Sequence, residues 1–490
     1  MNKKRTALII IFIIHHSAFS ILFAGCGARR TPDLGRIFAG VRERKGKRPV
    51  IVIPGILGSR IVNRRTGEVV WPSVFRSDVD GLSLPTTPDL ANNRDELVAA
   101  RIVETAKLAG NFGPEVYVYH YLIRALEDYG GYREGDWANP PEGGDQDTFY
   151  VFSYDWRRDN VESARLLVKR VEALKLKLGR PDLRFNVVAH SMGGLVARYA
   201  AMYGDQDLPP EGTAPQPDWA GANFINKIFM FGTPNAGSAE AFGVLLEGYS
   251  VTEGLRRRVR LLNKLSREDV VTAPSIFQLL PHAGAARFLD RDLRPLSVDL
   301  YDPAVWRRYG WSAANDPLFR AAYERGAARD EEAPAARGTL AELDAYFDAV
   351  LARARRFHEA LDVQTTDAPD KLFAFGGDCE ETLSAPVVMQ DEKTGRWVTL
   401  TRPKSLTGSG GRRFKREEVV RAMYAPGDGR VTRDSLLGAG LGGGGRASAL
   451  YETPLPVAYA AFACDLHSDL QSNRTLQDNA LTLLVNELAS

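Results

Sequence analysis

Short, continuous apolar runs alternate along this chain with longer segments in which apolar residues recur at helical spacing. A strand that is covered on both faces of a parallel sheet has this continuous apolar character. The pattern predicts strands over the segments 49–53, 148–153, 185–190, 227–231, 371–375, 419–425 and 457–463.

Helices are predicted between several of these strands. The segment 161–178 has apolar residues at helical spacing, and Asp159 or Asn160 is available as its N-cap. Further helices are predicted over 118–129, directly after Ser191, and over 473–488. Because strands and helices alternate in this way, the predicted fold is α/β, with a mostly parallel, doubly wound sheet.

The segment 240–370 interrupts the alternation. It contains arginine-rich helical stretches and no convincing sheet strand. Because sheet strands resume directly afterwards, we interpret it as a helical cap inserted into the sheet order and covering the active site. An independent helical domain is the alternative.

Ser191 lies at the most informative turn of the chain. The segment 185–194 (FNVVAHSMGG) predicts a buried strand that ends in a tight turn and continues as a helix. A serine held on such a turn can act as a nucleophile, and the Met192 N–H that follows it can face a developing oxyanion. Ala189 stands where the G-x-S-x-G motif has glycine, and a small side chain meets the need of the turn there. An ordinary turn with a chance serine is the alternative.

His467 is the candidate base. A serine nucleophile needs a histidine to accept its proton and a carboxylate to orient that histidine, and with this turn the chain order is serine, acid, histidine. Of the seven histidines, His467 is the one that follows the last predicted strand. His282 and His358 fall in the predicted cap and are expected to face solvent or to pack, and His190 is expected to point elsewhere.

Two aspartates follow predicted strands and are candidates for the acid. Asp428 lies between glycines in the segment 426–431 (PGDGRV), which is also typical of a simple turn. Asp378 ends the preceding predicted strand. The sequence pattern alone does not decide which of the two aspartates is the acid. The second oxyanion donor is expected from the loop after the first strand, where Gly55 and the Ile56 N–H are suitably placed.

The N-terminus resembles a bacterial export signal. Residues 1–25 combine a basic start with a largely apolar run, and Cys26 follows Ala24 and Gly25. We expect a lipoprotein-type signal peptide over 1–25, with Cys26 as the lipidated mature N-terminus. Plain secretion or an uncleaved anchor is the alternative. Residues 26–48 are predicted to form a basic tether ahead of one domain over 49–490.

Charge and cysteine content exclude some classes of function. Loss of residues 1–25 removes three positive and no negative charges, so the net charge falls from +2 to −1. A near-neutral protein gives no electrostatic case for binding nucleic acid. The sequence contains no CxxC motif and no His/Cys cluster, so no metal site is predicted. Export permits a disulfide between Cys379 and Cys464, and two free thiols are the alternative.

Five motifs occur in a fixed order along the chain. They are PGILGS at 54–59, YDWR at 154–157, the turn at Ser191, GDGRV at 427–431, and His467. In this order they resemble the lecithin:cholesterol acyltransferase-like lipases and acyltransferases, from about Val50 to the C-terminus. The chain departs from that family at Ala189 and at Arg430, where the family usually has a small hydroxyl residue.

The resemblance implies an α/β-hydrolase that hydrolyses or transfers acyl chains of lipid esters through a serine acyl-enzyme, without a cofactor. It implies the nucleophile Ser191, the acid Asp428, the base His467, and oxyanion donors at Ile56 and Met192. With the N-terminus, the expected partners are a lipid or ester substrate and a membrane surface, and the expected location is the bacterial cell envelope, facing the periplasm or the exterior. The alternative is a non-catalytic lipid- or protein-binding lipoprotein on a hydrolase scaffold.

Overall fold

The computed structural model describes residues 31–72, 79–107, 115–250, 264–327, 339–363, 368–369, 371–441 and 451–488. Residues 1–25 and Cys26 lie outside the described residues. At the centre is a parallel sheet whose strands, in chain order, are β1 (Val50–Ile53), β2 (Arg133–Glu134), β3 (Thr148–Val151), β4 (Phe185–His190), β5 (Ile225–Phe231), β6 (Lys371–Gly377) and β7 (Val457–Ala463). Their spatial order is β7-β6-β5-β4-β1-β3-β2, and every neighbouring pair is parallel.

The central strands are largely apolar because both faces of the sheet are covered. Along β1, the side chains of Ile51 and Ile53 join one hydrophobic cluster, and those of Val50 and Val52 join another. All four are almost completely buried. This alternation between two buried faces explains why a continuous apolar run predicts the strand.

Helices pack on both faces of the sheet. In chain order they are α1 (Leu34–Ile37), α2 (His120–Arg124), α3 (Asn160–Leu178), α4 (Met192–Tyr203), α5 (Ala239–Glu247), α6 (Arg267–Val270), α7 (Pro274–Phe277), α8 (Pro303–Tyr309), α9 (Pro317–Ala327), α10 (Leu340–Leu361), α11 (Arg416–Met423), α12 (Arg433–Leu437) and α13 (Arg474–Val485). A π-helical turn, Ala125–Tyr129, continues α2. Helices α3 and α4 belong to the cluster on one face, and α13 and α1 to the cluster on the other. The prediction of a doubly wound α/β-hydrolase fold is confirmed.

The segment predicted as a basic tether is partly folded onto the domain. Leu34, Phe38 and Val41 are buried in the same cluster as α13. Lys47 is fully buried, where its ammonium group pairs with Asp147 at 2.6 Å. The structure therefore differs from the predicted tether over residues 33–48, because the apolar residues between the basic ones supply a packing face.

The segment between β5 and β6 leaves the sheet and contains α5 to α10. It also contains short strands that the sequence did not predict, because two residues are too few to produce a periodic pattern: Tyr249–Ser250 pairs with Lys264–Leu265, and Phe288–Leu289 pairs with Pro295–Leu296. A hairpin of Val387–Gln390 and Trp397–Leu400 extends the second pair into a four-stranded sheet. The structure therefore adds β-structure to the predicted helical cap.

The predicted strand over 419–425 is wrong for most of its length. Residues 416–423 form α11, with Val419 and Met423 buried one turn apart and charged residues around them. This spacing of buried residues is helical. A strand begins only at Tyr424, and Tyr424–Gly427 pairs antiparallel with Glu380–Leu383 outside the central sheet.

Smaller elements complete the described chain. Antiparallel strands are Ser59–Asn63 between Val69–Trp71 and Leu97–Ile102, Thr105–Lys107 with Glu115–Tyr117, and Leu406–Thr407 with Arg413–Phe414. Short 3₁₀ helices are Val79–Leu82, Leu90–Asn92, Ala220–Asn223, Ala283–Ala285, Ala313–Asn315 and Leu470–Ser472. Among the helices of the described residues, none has both the length and the apolar character needed to cross a membrane.

Candidate active site

Ser191 lies between β4 and α4 in a strained backbone conformation. Its φ of 52° and ψ of −127° are rare for a residue with a side chain, and such strain costs on the order of 1–3 kcal/mol. The turn also brings α4 very close to β1: a Cβ atom on Gly193 would lie 2.6 Å from the carbonyl oxygen of Pro54. A glycine is therefore needed at 193 for the turn to hold Ser191 at the carboxyl end of the sheet.

The structure brings Ser191, His467 and Asp428 together in one hydrogen-bonded row. Nε2 of His467 lies 2.9 Å from Oγ of Ser191, and Nδ1 lies 2.8 Å from Oδ2 of Asp428. The side chains come from three separate strand ends, and all three residues are buried. In the neutral imidazole, Nδ1–H donates to the carboxylate and Nε2 accepts from the serine hydroxyl, which is the arrangement that activates a serine.

Asp428 is held in place by its own turn. Its Oδ1 accepts hydrogen bonds from the N–H groups of Arg430 at 3.0 Å and Val431 at 2.7 Å. Burial opposes ionisation here, but the charge and hydrogen bond of His467 and these backbone donors outweigh it. They keep the pKa of Asp428 below its ordinary value. Asp378, the other candidate acid, is exposed at the end of β6.

The loop after β1 packs directly against the nucleophile. A Cβ atom on Gly55 would lie 2.8 Å from Cβ of Ser191, so only a glycine fits there. Ile56, the predicted oxyanion donor, follows immediately, and Met192 is the first residue of α4. Gly55 and Met192 therefore both adjoin Ser191, and Ile56 is the residue after Gly55.

The YDWR motif supports this loop from behind. The Tyr154 hydroxyl donates to the carbonyl oxygen of Pro54 at 2.9 Å, and the Tyr154 N–H donates to Oγ of Ser59 at 3.2 Å. Arg157 is buried, and its guanidinium is paired with Asp155 and Asp95. The motif is thus structural, and its charged end is neutralised within the protein.

Two side chains at the site were not predicted from the sequence to have a role. The His190 ring lies against His467, with centroids 4.9 Å apart, and its nitrogens contact Tyr119 and the His467 backbone. The expectation that His190 points elsewhere is therefore wrong, because its ring turns toward the loop that carries the base. A histidine directly before the nucleophile is the sequence feature that could have indicated this contact. Tyr119 has no comparable signal, since it lies 71 residues earlier.

The two cap histidines lie away from the triad, in a buried stack with each other. Their ring centroids are 3.9 Å apart, and Nε2 of His282 lies 3.0 Å from Oδ2 of Asp362. Burial holds the pKa of His358 well below its ordinary value, and the charge of His282 acts in the same direction. A packing role, one of the two expected from the sequence, fits this arrangement.

Cys379 and Cys464 form a disulfide. Cys379 follows the end of β6, and Cys464 stands three residues before His467. Of the two alternatives left open by the sequence, the disulfide is the one present. It ties the loop of the base to the region that carries the acid.

Comparison with known proteins finds the same family over part of the chain. The lecithin:cholesterol acyltransferase family model matches residues 94–300, a span that contains Ser191 and ends before Asp428 and His467. Lecithin-cholesterol acyltransferase-like 4 of Arabidopsis thaliana is 22% identical over 257 residues, which cover 47% of this chain and 42% of that protein. The match therefore spans less than half the length of this curated relative.

A solved structure shares the fold, at low sequence identity. A chain in the crystal structure of the Tle4–Tli4 complex covers 89% of this chain and 98% of its own length, with 14% identity and a TM-score of 0.53. The Bacillus licheniformis lipase BlEst2 in its propeptide form covers 91% of this chain and 54% of its own length, with 10% identity and a TM-score of 0.33. The first of these supports the fold alone. Together, the family match and the motifs in order show that the chain is similar to the lecithin:cholesterol acyltransferase-like family of α/β-hydrolases.

Proposed function

We propose that this protein is a serine-dependent hydrolase or acyltransferase that acts on lipid or other carboxylic esters. The observation that carries the proposal is the row of hydrogen bonds from Ser191 through His467 to Asp428, with distances of 2.9 and 2.8 Å. The strained turn at Ser191 is a second feature that a merely structural serine does not need.

The geometry supports a two-step reaction. Oγ of Ser191 attacks the ester carbonyl while Nε2 of His467 takes the hydroxyl proton, and ionised Asp428 stabilises the imidazolium. The N–H groups of Ile56 and Met192 bind the oxyanion. When the tetrahedral intermediate collapses, His467 returns its proton to the leaving alcohol and an acyl-serine remains. Water or a second alcohol then attacks the acyl-serine while His467 takes its proton, and His467 returns a proton to Oγ of Ser191 as the acyl group leaves. Attack by water gives hydrolysis, and attack by an alcohol gives acyl transfer.

The family supports the class of substrate. Its description names an acyltransferase of lecithin and cholesterol, and from this we carry over only the class, an acyl ester of a lipid. The fraction of the acyl-serine that reacts with water rather than with an alcohol depends on which of the two reaches it.

Labelling with a fluorophosphonate tests the nucleophile. We expect the purified protein to be modified at Ser191, and the Ser191→Ala variant to remain unlabelled. Turnover is then measured with short- and long-chain p-nitrophenyl esters and with phosphatidylcholine vesicles, each with and without an alcohol acceptor. A folded wild-type protein that is neither labelled nor active on any of these would support the non-catalytic lipid-binding scaffold instead.

We also propose that the protein is a lipoprotein of the bacterial cell envelope, anchored through Cys26 to a membrane surface and facing the periplasm or the exterior. The basic start, the apolar run and Cys26 after Ala24 and Gly25 support this. Mass spectrometry of the N-terminal peptide from membranes should find a diacylated Cys26, and Cys26→Ser should release the protein from them. An unmodified N-terminus at another residue would contradict the anchor.

A further inference from the structure

Three buried hydrogen bonds run beside the triad, from the backbone of Gly55 to the backbone of His467. The Gly55 N–H donates to the Tyr119 hydroxyl oxygen at 2.8 Å. That hydroxyl lies 2.8 Å from Nδ1 of His190, and Nε2 of His190 lies 3.0 Å from the carbonyl oxygen of His467. The row connects the loop that carries Ile56 to the loop that carries the base.

The two backbone ends determine the direction of every bond. A carbonyl oxygen can only accept, so Nε2 of His190 must carry a hydrogen and donate to His467. In a neutral imidazole Nδ1 is then an acceptor, so the Tyr119 hydroxyl donates to it. The hydroxyl oxygen is left to accept from Gly55, which can only donate. Only one assignment of donors and acceptors therefore satisfies all three hydrogen bonds.

Burial keeps both side chains in the required protonation state. Burial, with the neighbouring His467 acting in the same direction, lowers the pKa of His190 to about 3. Burial also raises the pKa of Tyr119 above its ordinary value. At neutral pH, His190 therefore places no second positive charge beside His467 when that base is protonated during catalysis.

Both ends of the row are in contact with reacting groups. Gly55 packs so closely on Ser191 that a Cβ atom would lie 2.8 Å from the serine Cβ. The backbone carbonyl of His467 accepts the last hydrogen bond of the row, while the His467 ring contacts Ser191 and Asp428. A displacement of Tyr119 or His190 would therefore move an oxyanion donor, the base, or both relative to the nucleophile.

We infer that Tyr119 and His190 are positioning residues, which hold the oxyanion loop at Gly55 and the base His467 in register around Ser191. This inference rests on the proposed function. Neither side chain contacts the ester in this role, and each acts through the backbone to which it is hydrogen-bonded. A row that only stabilised the fold would affect melting temperature and leave the turnover of the folded protein unchanged.

The test compares kcat and KM of Tyr119→Phe and His190→Leu with those of the wild type, using a soluble short-chain ester. We expect kcat to fall about 10- to 100-fold with KM changed less than threefold, because misplacement of reacting groups by about 1 Å can cost roughly 100-fold. The rate of fluorophosphonate labelling should fall in parallel. The matched control is Tyr150→Phe, which removes another fully buried hydroxyl of the sheet, bonded to the Gly144 carbonyl at 2.9 Å. Its kcat should stay within twofold of wild type.

Two further variants separate positioning from folding. His190→Gln retains an amide that can donate to His467 and accept from Tyr119, so it should recover much of the kcat lost in His190→Leu. The kcat of the double variant Tyr119→Phe/His190→Leu should be little lower than that of the less active single variant, because the two residues act as one unit. This comparison remains informative if one single variant folds poorly, since His190→Gln and His190→Leu can be compared at equal folded fraction by circular dichroism.

Retention of kcat within threefold in folded Tyr119→Phe and His190→Leu would overturn the inference, as would additive losses in the double variant. Failure of the proposed function looks different: the wild type itself would be inactive and unlabelled, and the inference would fail with it. An active wild type whose variants change only in melting temperature would overturn the positioning role and leave the function standing.

Discussion

Asp428 and His467 are hydrogen-bonded to each other twice. Their side chains meet at 2.8 Å, and the His467 backbone N–H donates to the backbone carbonyl of Asp428, also at 2.8 Å. The second bond joins the two loops independently of the side chains. The carboxylate is thus held at the Nδ1 edge of the imidazole even while the ring changes its protonation state.

This double link makes Asp428→Asn a clean substitution. We expect the backbone bond to preserve the fold, while kcat falls about 10⁴-fold because an amide favours the wrong histidine tautomer and cannot stabilise the imidazolium. Steady-state kinetics on the purified variant, with circular dichroism as a check of folding, measure this. The matched control is Asp378→Asn, which changes an exposed aspartate at the end of β6 and should stay within threefold of wild type. If the two variants show the reverse pattern, Asp378 is the acid.

The backbone of Ser191 gives a prediction for stability as well as for activity. Ser191→Ala and Ser191→Gly should both lower kcat by about 10⁶, because each removes the nucleophile. Only glycine accepts the φ of 52° without strain, so Ser191→Gly should raise the free energy of unfolding by roughly 1 kcal/mol relative to Ser191→Ala. Urea unfolding of the two variants measures the difference. Equal stability would mean that the turn stores no strain at this residue.

The sequence predicts those features that depend on local patterns. The continuous apolar runs identify six of the seven central strands, because a strand covered on both faces is apolar at most of its positions. The short β2 (Arg133–Glu134) lies at the sheet edge and is exposed, so it has no such run. The turn at Ser191 is also predicted locally, since the apolar strand, the serine and the two glycines that follow it all lie within residues 185–194.

Features that depend on distant contacts are missed. Valines at 419 and 420 favour a strand by composition, but Val419 and Met423 bury one face of a helix whose remaining residues are mostly charged. The choice between Asp428 and Asp378 depends on which loop meets His467, and no local pattern contains that information. Tyr119 reaches His190 from 71 residues away, so its contact becomes visible only in the folded chain.

The disulfide is expected to support both stability and activity. Glu380, next to Cys379, pairs with Gly427 beside the acid, and Cys464 precedes His467 by three residues. The bridge therefore couples the strand that presents Asp428 to the loop of the base. Because the cysteines are 85 positions apart in the sequence, the double variant Cys379→Ser/Cys464→Ser should lose about 4–5 kcal/mol of unfolding free energy. We expect kcat to fall several-fold in parallel.

Reduction provides the control for this prediction. Both cysteines are exposed, so dithiothreitol should destabilise the wild type toward the level of the double variant and leave that variant unchanged. Urea unfolding with and without reductant measures both effects. A loss of less than 1 kcal/mol in the double variant would mean that other contacts between the two loops are sufficient.

The buried His190 predicts how stability depends on pH. Its pKa is lowered to about 3 in the folded protein, while an unfolded histidine has a pKa near 6.5. Between these values the unfolded chain binds the proton and the folded chain does not, so the free energy of unfolding falls as pH is lowered. The stability that His190 contributes is complete above pH 6.5 and is lost by up to about 1.4 kcal/mol per pH unit below it.

His190→Gln isolates this contribution, because glutamine does not titrate and all other ionisable groups are kept. Urea unfolding of both proteins at pH 7.5, 6.5, 5.5 and 4.5 gives the difference in unfolding free energy at each pH. That difference should be constant above pH 6.5 and should shift in favour of the variant as the pH falls. Aspartates contribute little to it, since their ordinary pKa near 3.9 lies below this range. A difference that stays constant down to pH 4.5 would mean that folded His190 accepts a proton as readily as an unfolded histidine, which would contradict a pKa lowered by burial.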